Sequence, residues 1–166
     1  MQYQDCAAML QAAWRSPMSV AETRAYPTRP YLAVSAAIFR DGKVLLVRRA
    51  RMPALHLYTL PGGVVEAGET LTEAVIREVR EETALGIAPV GLAGYREAIT
   101  RDRDGRVEQH FIILSFAARW LAGEPTLNEE LDDARWLAPA GLGGLSTTEG
   151  LAEIVAAASG RLAAAQ

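Results

Sequence analysis

Three glutamates crowd one short run of the chain, Arg77-Glu78-Val79-Arg80-Glu81-Glu82. Residues 70–83 contain no Gly or Pro and are rich in strong helix formers, so the run predicts a helix. At about 100° per residue, Leu71, Ala74 and Val75 share one sector, and Glu78, Glu81 and Glu82 fall in roughly that same sector one and two turns later. An ordinary amphipathic helix keeps its acids opposite its apolar stripe. Like charges at these spacings repel by a few tenths of a kcal/mol when solvated and by more when partly buried. Positive charge is therefore expected among them. Arg77 and Arg80 supply some of it, and an oxygen-liganded cation such as Mg²⁺, which favours a few carboxylates plus phosphate oxygens, suits the cluster better. The other reading is a solvated acidic face on a surface helix.

The segment just before the helix favours the first reading. Pro61-Gly62-Gly63 and Gly68-Glu69 bracket a loop that feeds directly into the helix N-terminus. Glycine lets backbone approach a ligand closely, and a helix N-terminus favours phosphate. A glycine loop alone is weak; at a fixed distance from three carboxylates it is strong.

These residues resemble the Nudix box, G-x5-E-x7-R-E-U-x-E-E-x-G-U with U a bulky aliphatic. Gly63, Glu69, Arg77, Glu78, Val79, Glu81, Glu82 and Leu85 match it over 23 positions, with Ala84 standing where the family has glycine. Ala84 would hold a left-handed cap at a cost of about 1 kcal/mol, or Gly86 would end the helix two residues later. The resemblance implies an α/β fold, an α/β/α sandwich with a mixed β-sheet. It also implies a pyrophosphohydrolase that cuts a phosphoanhydride in a nucleoside diphosphate-linked substrate, ADP-ribose-like or a nucleoside triphosphate, oxidised or not. Carried over by position, Glu78, Glu81, Glu82 and the Gly63 carbonyl would ligate Mg²⁺ or Mn²⁺. Glu69 would assist the metal–water network, and Arg77 would hold a glutamate by an ion pair. The general base differs among family branches: Glu78 is one candidate, and Glu129 or Glu130 the other, with Glu130 preferred because Leu131 beside it can anchor its direction. Some relatives only sense a nucleotide without cleaving it. They are expected to lose box glutamates, whereas Glu69, Glu78, Glu81 and Glu82 are all present.

The elements that must position these groups are readable in outline. Residues 31–40 and 43–49 are apolar runs flanking Asp41-Gly42, a strong hairpin signal. Residues 87–99 and 107–120 read as strands. Pro125 and the acids Glu129, Glu130, Asp132 and Asp133 read as a loop before a short Ala-Arg-Trp-Leu-Ala strand at 134–138. Ser146-x-x-Glu149 looks like a capping box opening a helix to about Ala158, with Gly160 as its stop. Residues 1–30 read as an N-terminal extension, as a short helix from about Asp5 to Trp14, or as a linker, residues 31–160 as the domain, and 161–166 as a tail.

Arg48, Arg49 and Arg51 leave the second strand beside the expected site and are candidates to clamp phosphate, Arg49 and Arg51 above all. Each is also readable as a solvated arginine. Trp136 or Tyr95 is a candidate to stack a base, the competing role being core packing. His110 reads as a core or edge histidine. The 166 residues make one domain, and half of them are apolar with 22% charged, which excludes disorder and fibrous repeats. A net charge of −3 and no basic stripe argue against long nucleic acid as a partner. Cys6 is the one cysteine, so an intrachain disulfide is excluded and any metal is expected on oxygen. No stretch has the roughly 18 apolar residues a membrane span needs. The expectation is a cytoplasmic enzyme whose partners are a small nucleotide and, at most, a second copy in a homodimer.

Overall fold

The computed structural model describes residues 24–52 and 54–165. The helix expected at Asp5–Trp14 lies outside them. Strands β1 (Tyr31–Arg40) and β2 (Lys43–Arg49) meet at Asp41 and Gly42, whose φ values of 50° and 73° suit a two-residue hairpin turn. They stay paired only beside that turn, through Phe39 with Val44 and Arg40 with Lys43. Beyond it the strands part. β1 pairs in parallel with β6 (Val107–Ala122) and antiparallel with the short β4 (Gly62–Val64). β2 pairs antiparallel with β3 (Tyr58–Thr59) and β7 (Leu131–Leu137), and β5 (Gly86–Arg101) pairs antiparallel with β6.

This mixed sheet is covered on both faces, which is why β1 and β2 read as continuous apolar runs. Val34, Ala36, Ile38, Leu45 and Val47 pack with Ala74, Val75 and Val79 of helix α1 (Leu71–Thr83). Ala37, Val44 and Leu46 pack with Leu151, Ile154, Val155 and Ala158 of helix α2 (Leu151–Ala164). Each fully buried Val, Leu or Ile contributes about 1.5–3 kcal/mol, so the two cores bind the layers firmly. The result is the expected α/β/α sandwich. Among the described residues, no helix is long and apolar enough to cross a membrane.

Helix α1 opens on a reciprocal cap. Thr70 Oγ1 accepts from the Glu73 N–H at 3.2 Å, and the Glu73 carboxylate accepts from the Thr70 N–H at 2.8 Å. It ends on Ala84, whose φ of 60° is left-handed and whose N–H donates to the Arg80 carbonyl at 2.9 Å. Alanine in that conformation carries strain that glycine would not. Ala84→Gly is accordingly expected to raise stability by about 1 kcal/mol, a melting-temperature gain of roughly 2–4 °C. An unchanged or lower melting temperature would show that the cap is unstrained.

Three local expectations are corrected. Ser146 and Glu149 do not cap α2: Gly150 is its N-cap, with φ 72° and no side-chain bond. The Ser146 carbonyl accepts from the Tyr58 N–H, and the Thr148 N–H donates to the Tyr58 carbonyl, so this backbone is committed to strand-like pairing with β3. Gly160 does not stop the helix, which runs on to Ala164 with Leu162 buried, so residues 161–164 pack as helix rather than forming a tail. Burial of Ala158 and Leu162 offsets the roughly 1 kcal/mol that glycine costs inside a helix. Finally, β7 begins at Leu131, so Asp132 and Asp133 are strand residues and only Glu129 and Glu130 remain in the turn before it.

Candidate active site

Helix α1 lays its acidic turns against β4, where Gly62 is required by neighbouring backbone and Gly63 leaves room for the Glu78 carboxylate. A Cβ on Gly63 would sit 2.3 Å from Glu78 Oε2, and one on Gly62 would sit 2.1 Å from the Val34 carbonyl oxygen. The glycine pair therefore lets α1 and β1 close in on the β4 backbone from two sides.

Arg77 organises the cluster. Its Nε and Nη2 donate to the two carboxylate oxygens of Glu69 at 2.6 and 2.9 Å, a bidentate pair. Nη1 donates to Glu78 at 2.9 Å and to Glu81 at 3.2 Å, and Nη2 also reaches the Val64 carbonyl at 3.2 Å. Glu69 accepts further from the Glu66 N–H. The Arg77 bonds above all, then that N–H, hold the Glu69 carboxyl down at about 2. The same bonds raise the Arg77 pKa further above its ordinary value.

Glu82 stands apart from this arginine. It is 5% exposed, and its Oε2 accepts from the Gly62 N–H at 2.8 Å. Burial pushes its pKa up to about 7; the Gly62 bond and Arg49 oppose that, while the charges of Glu78 and Glu130 add to it. Burial also raises Glu78, against the pull of Arg77 and of Arg24. Two neighbouring carboxylates are thus desolvated with less positive charge than they need.

Glu130 is close enough for Glu82 to feel its charge, and its backbone is pinned on both sides. Its N–H donates to Asn128 Oδ1 at 2.9 Å, and its carbonyl accepts from the Ala50 N–H at 2.8 Å. Leu131, 5% exposed, anchors the next position. Glu129 is turned away to Arg51, at 2.8 Å.

Of the arginines at the end of β2 and just beyond it, Arg49 acts electrostatically on Glu82. Arg48 is bonded to Asp132 at 2.7 Å, and Arg51 is held by Glu129. Trp136 is not brought to the carboxylates. It packs on the α1-side core, with the Arg40 guanidinium over its ring at 5.5 Å. It lies five residues along β7 from Leu131, roughly 17 Å at 3.3 Å per residue. Tyr95, by contrast, is 66% exposed on β5 and is not core. His110 lies within β6, opposite Ile99.

The donors fit a hard cation chemically: all are oxygen, two are desolvated carboxylates, and burial has raised the proton affinity of both. In this side-chain arrangement Arg77 holds Glu69, Glu78 and Glu81, and among the described residues no three acidic, His or Cys side chains converge into a ready cage.

Asn128 and the Gly62 N–H were not singled out from the sequence. A turn-capping Asn two residues before Glu130 is a local signal that would have found the first. The second depends on the approach of α1 to β4 and has none.

Residues 29–157 match the sequence profile of the NUDIX domain. The ADP-ribose pyrophosphatase of Methanocaldococcus jannaschii is 36% identical over 107 residues, 64% of this chain and 61% of that protein. The NAD-capped RNA hydrolase NudC of Pseudomonas aeruginosa strain LESB58 is 33% identical over 100 residues, 60% of this chain and 33% of that protein. The aligned stretch thus spans between a third and three-fifths of these relatives' own length. Among solved structures, a MutT NUDIX hydrolase from Burkholderia pseudomallei superposes with a TM-score of 0.68 at 28% identity, covering 77% of this chain and 97% of that one. The NUDIX domain of Shewanella oneidensis NrtR, complexed with ADP ribose, gives 0.64 at 25% identity, covering 82% and 90%.

Proposed function

The chain belongs to the Nudix family, and from that premise we propose that it hydrolyses the phosphoanhydride of a small nucleoside diphosphate-linked substrate, ADP-ribose-like or a nucleoside triphosphate. The observation that carries this reading is the pair of Glu82, buried, and Glu78, half-buried, against the Gly62-Gly63 strand, both desolvated enough to raise their proton affinity although Arg77 bonds Glu78. Glu78, Glu81, Glu82 and the Gly63 carbonyl are the groups that would hold Mg²⁺ or Mn²⁺. Such an ion, when bound, neutralises diphosphate charge and lowers the pKa of a bound water.

The chain's own residues supply the rest. Arg77 fixes Glu69 by two bonds and holds Glu78 and Glu81 on the same side of α1. Arg49, at the end of β2 and close enough for Glu82 to feel its charge, would meet phosphate oxygens there. Glu130 takes the proton of the attacking water as general base, from a turn whose backbone is already fixed. Trp136, five residues along β7 from Leu131 and under the Arg40 guanidinium, is assigned no substrate contact in this reading. The net charge of −3 favours a small nucleotide over a long RNA.

Glu130→Gln tests the assignment of the base. It is expected to lower kcat by about 100-fold or more while the melting-temperature rise on adding Mg²⁺ is retained, because Glu130 comes from a separate turn. A kcat within about threefold of wild type would return the role to Glu78. A nucleotide-sensing module, the other reading, would bind ADP-ribose without releasing AMP.

A further inference from the structure

β5 stands at one end of the strand order, and among the described residues β6 is its one partner strand. Such an edge offers a row of unpaired N–H and C=O groups that a further strand can use. Proline and bulges discourage that pairing. In β5, Pro89 and three register shifts fall before Gly94. From Gly94 to Thr100 the strand then runs against Ser115 to Gln109 without a break. A fourth shift, from Thr100 opposite Gln109 to Arg101 opposite Val107, skips a residue of β6 and leaves the alternation of β5 intact.

The two faces of this stretch differ. A Cβ on Gly94 would sit 2.8 Å from Ile154 Cδ1, so the even-numbered positions look toward α2. Tyr95 is in register with Leu114, which packs on the α1-side core, so Tyr95, Glu97, Ile99 and Arg101 share the opposite face. α1 leaves this part of the face uncovered: Ile99 is 44% exposed, and Glu97 and Arg101 are exposed as well. Glu97 has no ion-pair partner among the described residues. Arg101 donates through Nη1 to the Gly105 carbonyl at 3.0 Å, and its other donors face outward.

A second copy of the chain complements this edge. Two antiparallel β5 strands related by a two-fold axis normal to the sheet keep each face on its own side, so odd-numbered residues oppose odd-numbered ones. Centred on Ile99, the pairing sets Ile99 against Ile99, Glu97 against Arg101 and Arg101 against Glu97. Both charges on the exposed face then meet their opposites, one pair on each side of an apolar contact. Centred on Glu97, the same strands would oppose two carboxylates, and centred on Ala98 they would set Glu97 against Ile99. Charge complementarity thus selects the Ile99 register.

We propose that the outer edge of β5, from Glu97 to Arg101, is the interface through which two copies of this chain pair, joining their seven-stranded sheets into one. Main-chain hydrogen bonds between the two edges supply affinity, and the Glu97–Arg101 pairs fix the register. The proposal is independent of the reading of the acidic site.

Sedimentation velocity of the full chain from about 1 to about 100 μM tests it. Wild type is expected to dimerise within that range. Glu97→Arg and Arg101→Glu each set like charges opposite one another twice, and each is expected to weaken association about tenfold or more. Both positions are exposed, so far-ultraviolet circular dichroism is expected to stay unchanged. Mixed in equal amounts, the two variants are expected to recover the dimer, because every new charge then faces an opposite one across the two-fold. A chain carrying both substitutions is expected to dimerise for the same reason. Wild type that stays monomeric at about 100 μM overturns the proposal. So does a wild-type dimer whose dissociation constant both single variants leave within about twofold, which puts the interface elsewhere. Weakening in both single variants without recovery in the mixture or in the doubly substituted chain overturns the Glu97–Arg101 pairing.

Discussion

Glu82→Gln is expected to lower turnover by about a thousandfold or more, about 4 kcal/mol of barrier, while leaving the protein folded. The amide oxygen can still accept from the Gly62 N–H, which Glu82 binds at 2.8 Å, so local structure is kept. What is lost is a charged oxygen donor in a desolvated position. Linkage gives the variant a second signature. The Glu82 pKa of about 7 lies above the ordinary carboxylate value of 4.5, so the native state binds this proton more tightly than the unfolded chain does. In chelator, wild-type stability is therefore expected to fall as pH rises from 4.5 to 7. The loss is on the order of 3 kcal/mol and is fully present above pH 7. Glu82→Gln lacks that penalty and is expected to melt higher than wild type at pH 8 in chelator. Glu69, depressed to about 2, acts with opposite sign, and its stabilisation is lost only as pH falls from 4.5 toward 2. Chemical denaturation of both proteins at pH 5 and pH 8 separates the two windows. A variant that keeps more than a tenth of wild-type turnover would remove Glu82 from the principal donors.

Removal of divalent cations is expected to reduce hydrolysis to background, with full recovery on adding back Mg²⁺ or Mn²⁺. The desolvated carboxylates Glu78 and Glu82 are the reason: among the described residues, Arg77 and Arg49 offset their burial and mutual repulsion only in part. The ion binds the folded state preferentially, so at about 100 times its Kd it adds about 2.7 kcal/mol of stability. For a chain of this size that is a melting-temperature rise of roughly 5–10 °C. The rise is expected to be larger at pH 8 than at pH 5, because protonated Glu82 must release its proton to bind. It should shrink in both Glu78→Gln and Glu82→Gln. Full hydrolytic activity in excess chelator would overturn the mechanism.

The candidate site residues on the acidic helix were readable from the chain because their signal is local. Glu78, Glu81 and Glu82 are spaced for one helix face, the glycines precede that helix at fixed distance, and Asp41-Gly42 sits between two apolar runs. Hydrogen bonds closing over three or four residues, and a turn closing over two, obey rules that a few neighbours dictate. Ser146 and Gly160 show where those rules fail. Pairing of Tyr58 with Ser146 and Thr148 took the backbone that a capping box needed, and burial of Ala158 and Leu162 carried the helix through a glycine. Tertiary contacts of a kcal/mol or more override local preferences of about that size.

The sequence by itself determined the fold class, the acidic helix and the family. The tertiary structure alone decided which charges lack a partner. Arg77 reaches back eight residues to Glu69, Gly62 donates to Glu82 across 20 residues, and Arg51 meets Glu129 across 78. It also took Trp136 away from the carboxylates. Desolvation and ion pairing depend on distances in space. Strand register and helix docking set those distances between residues whose separation along the chain carries no information about them.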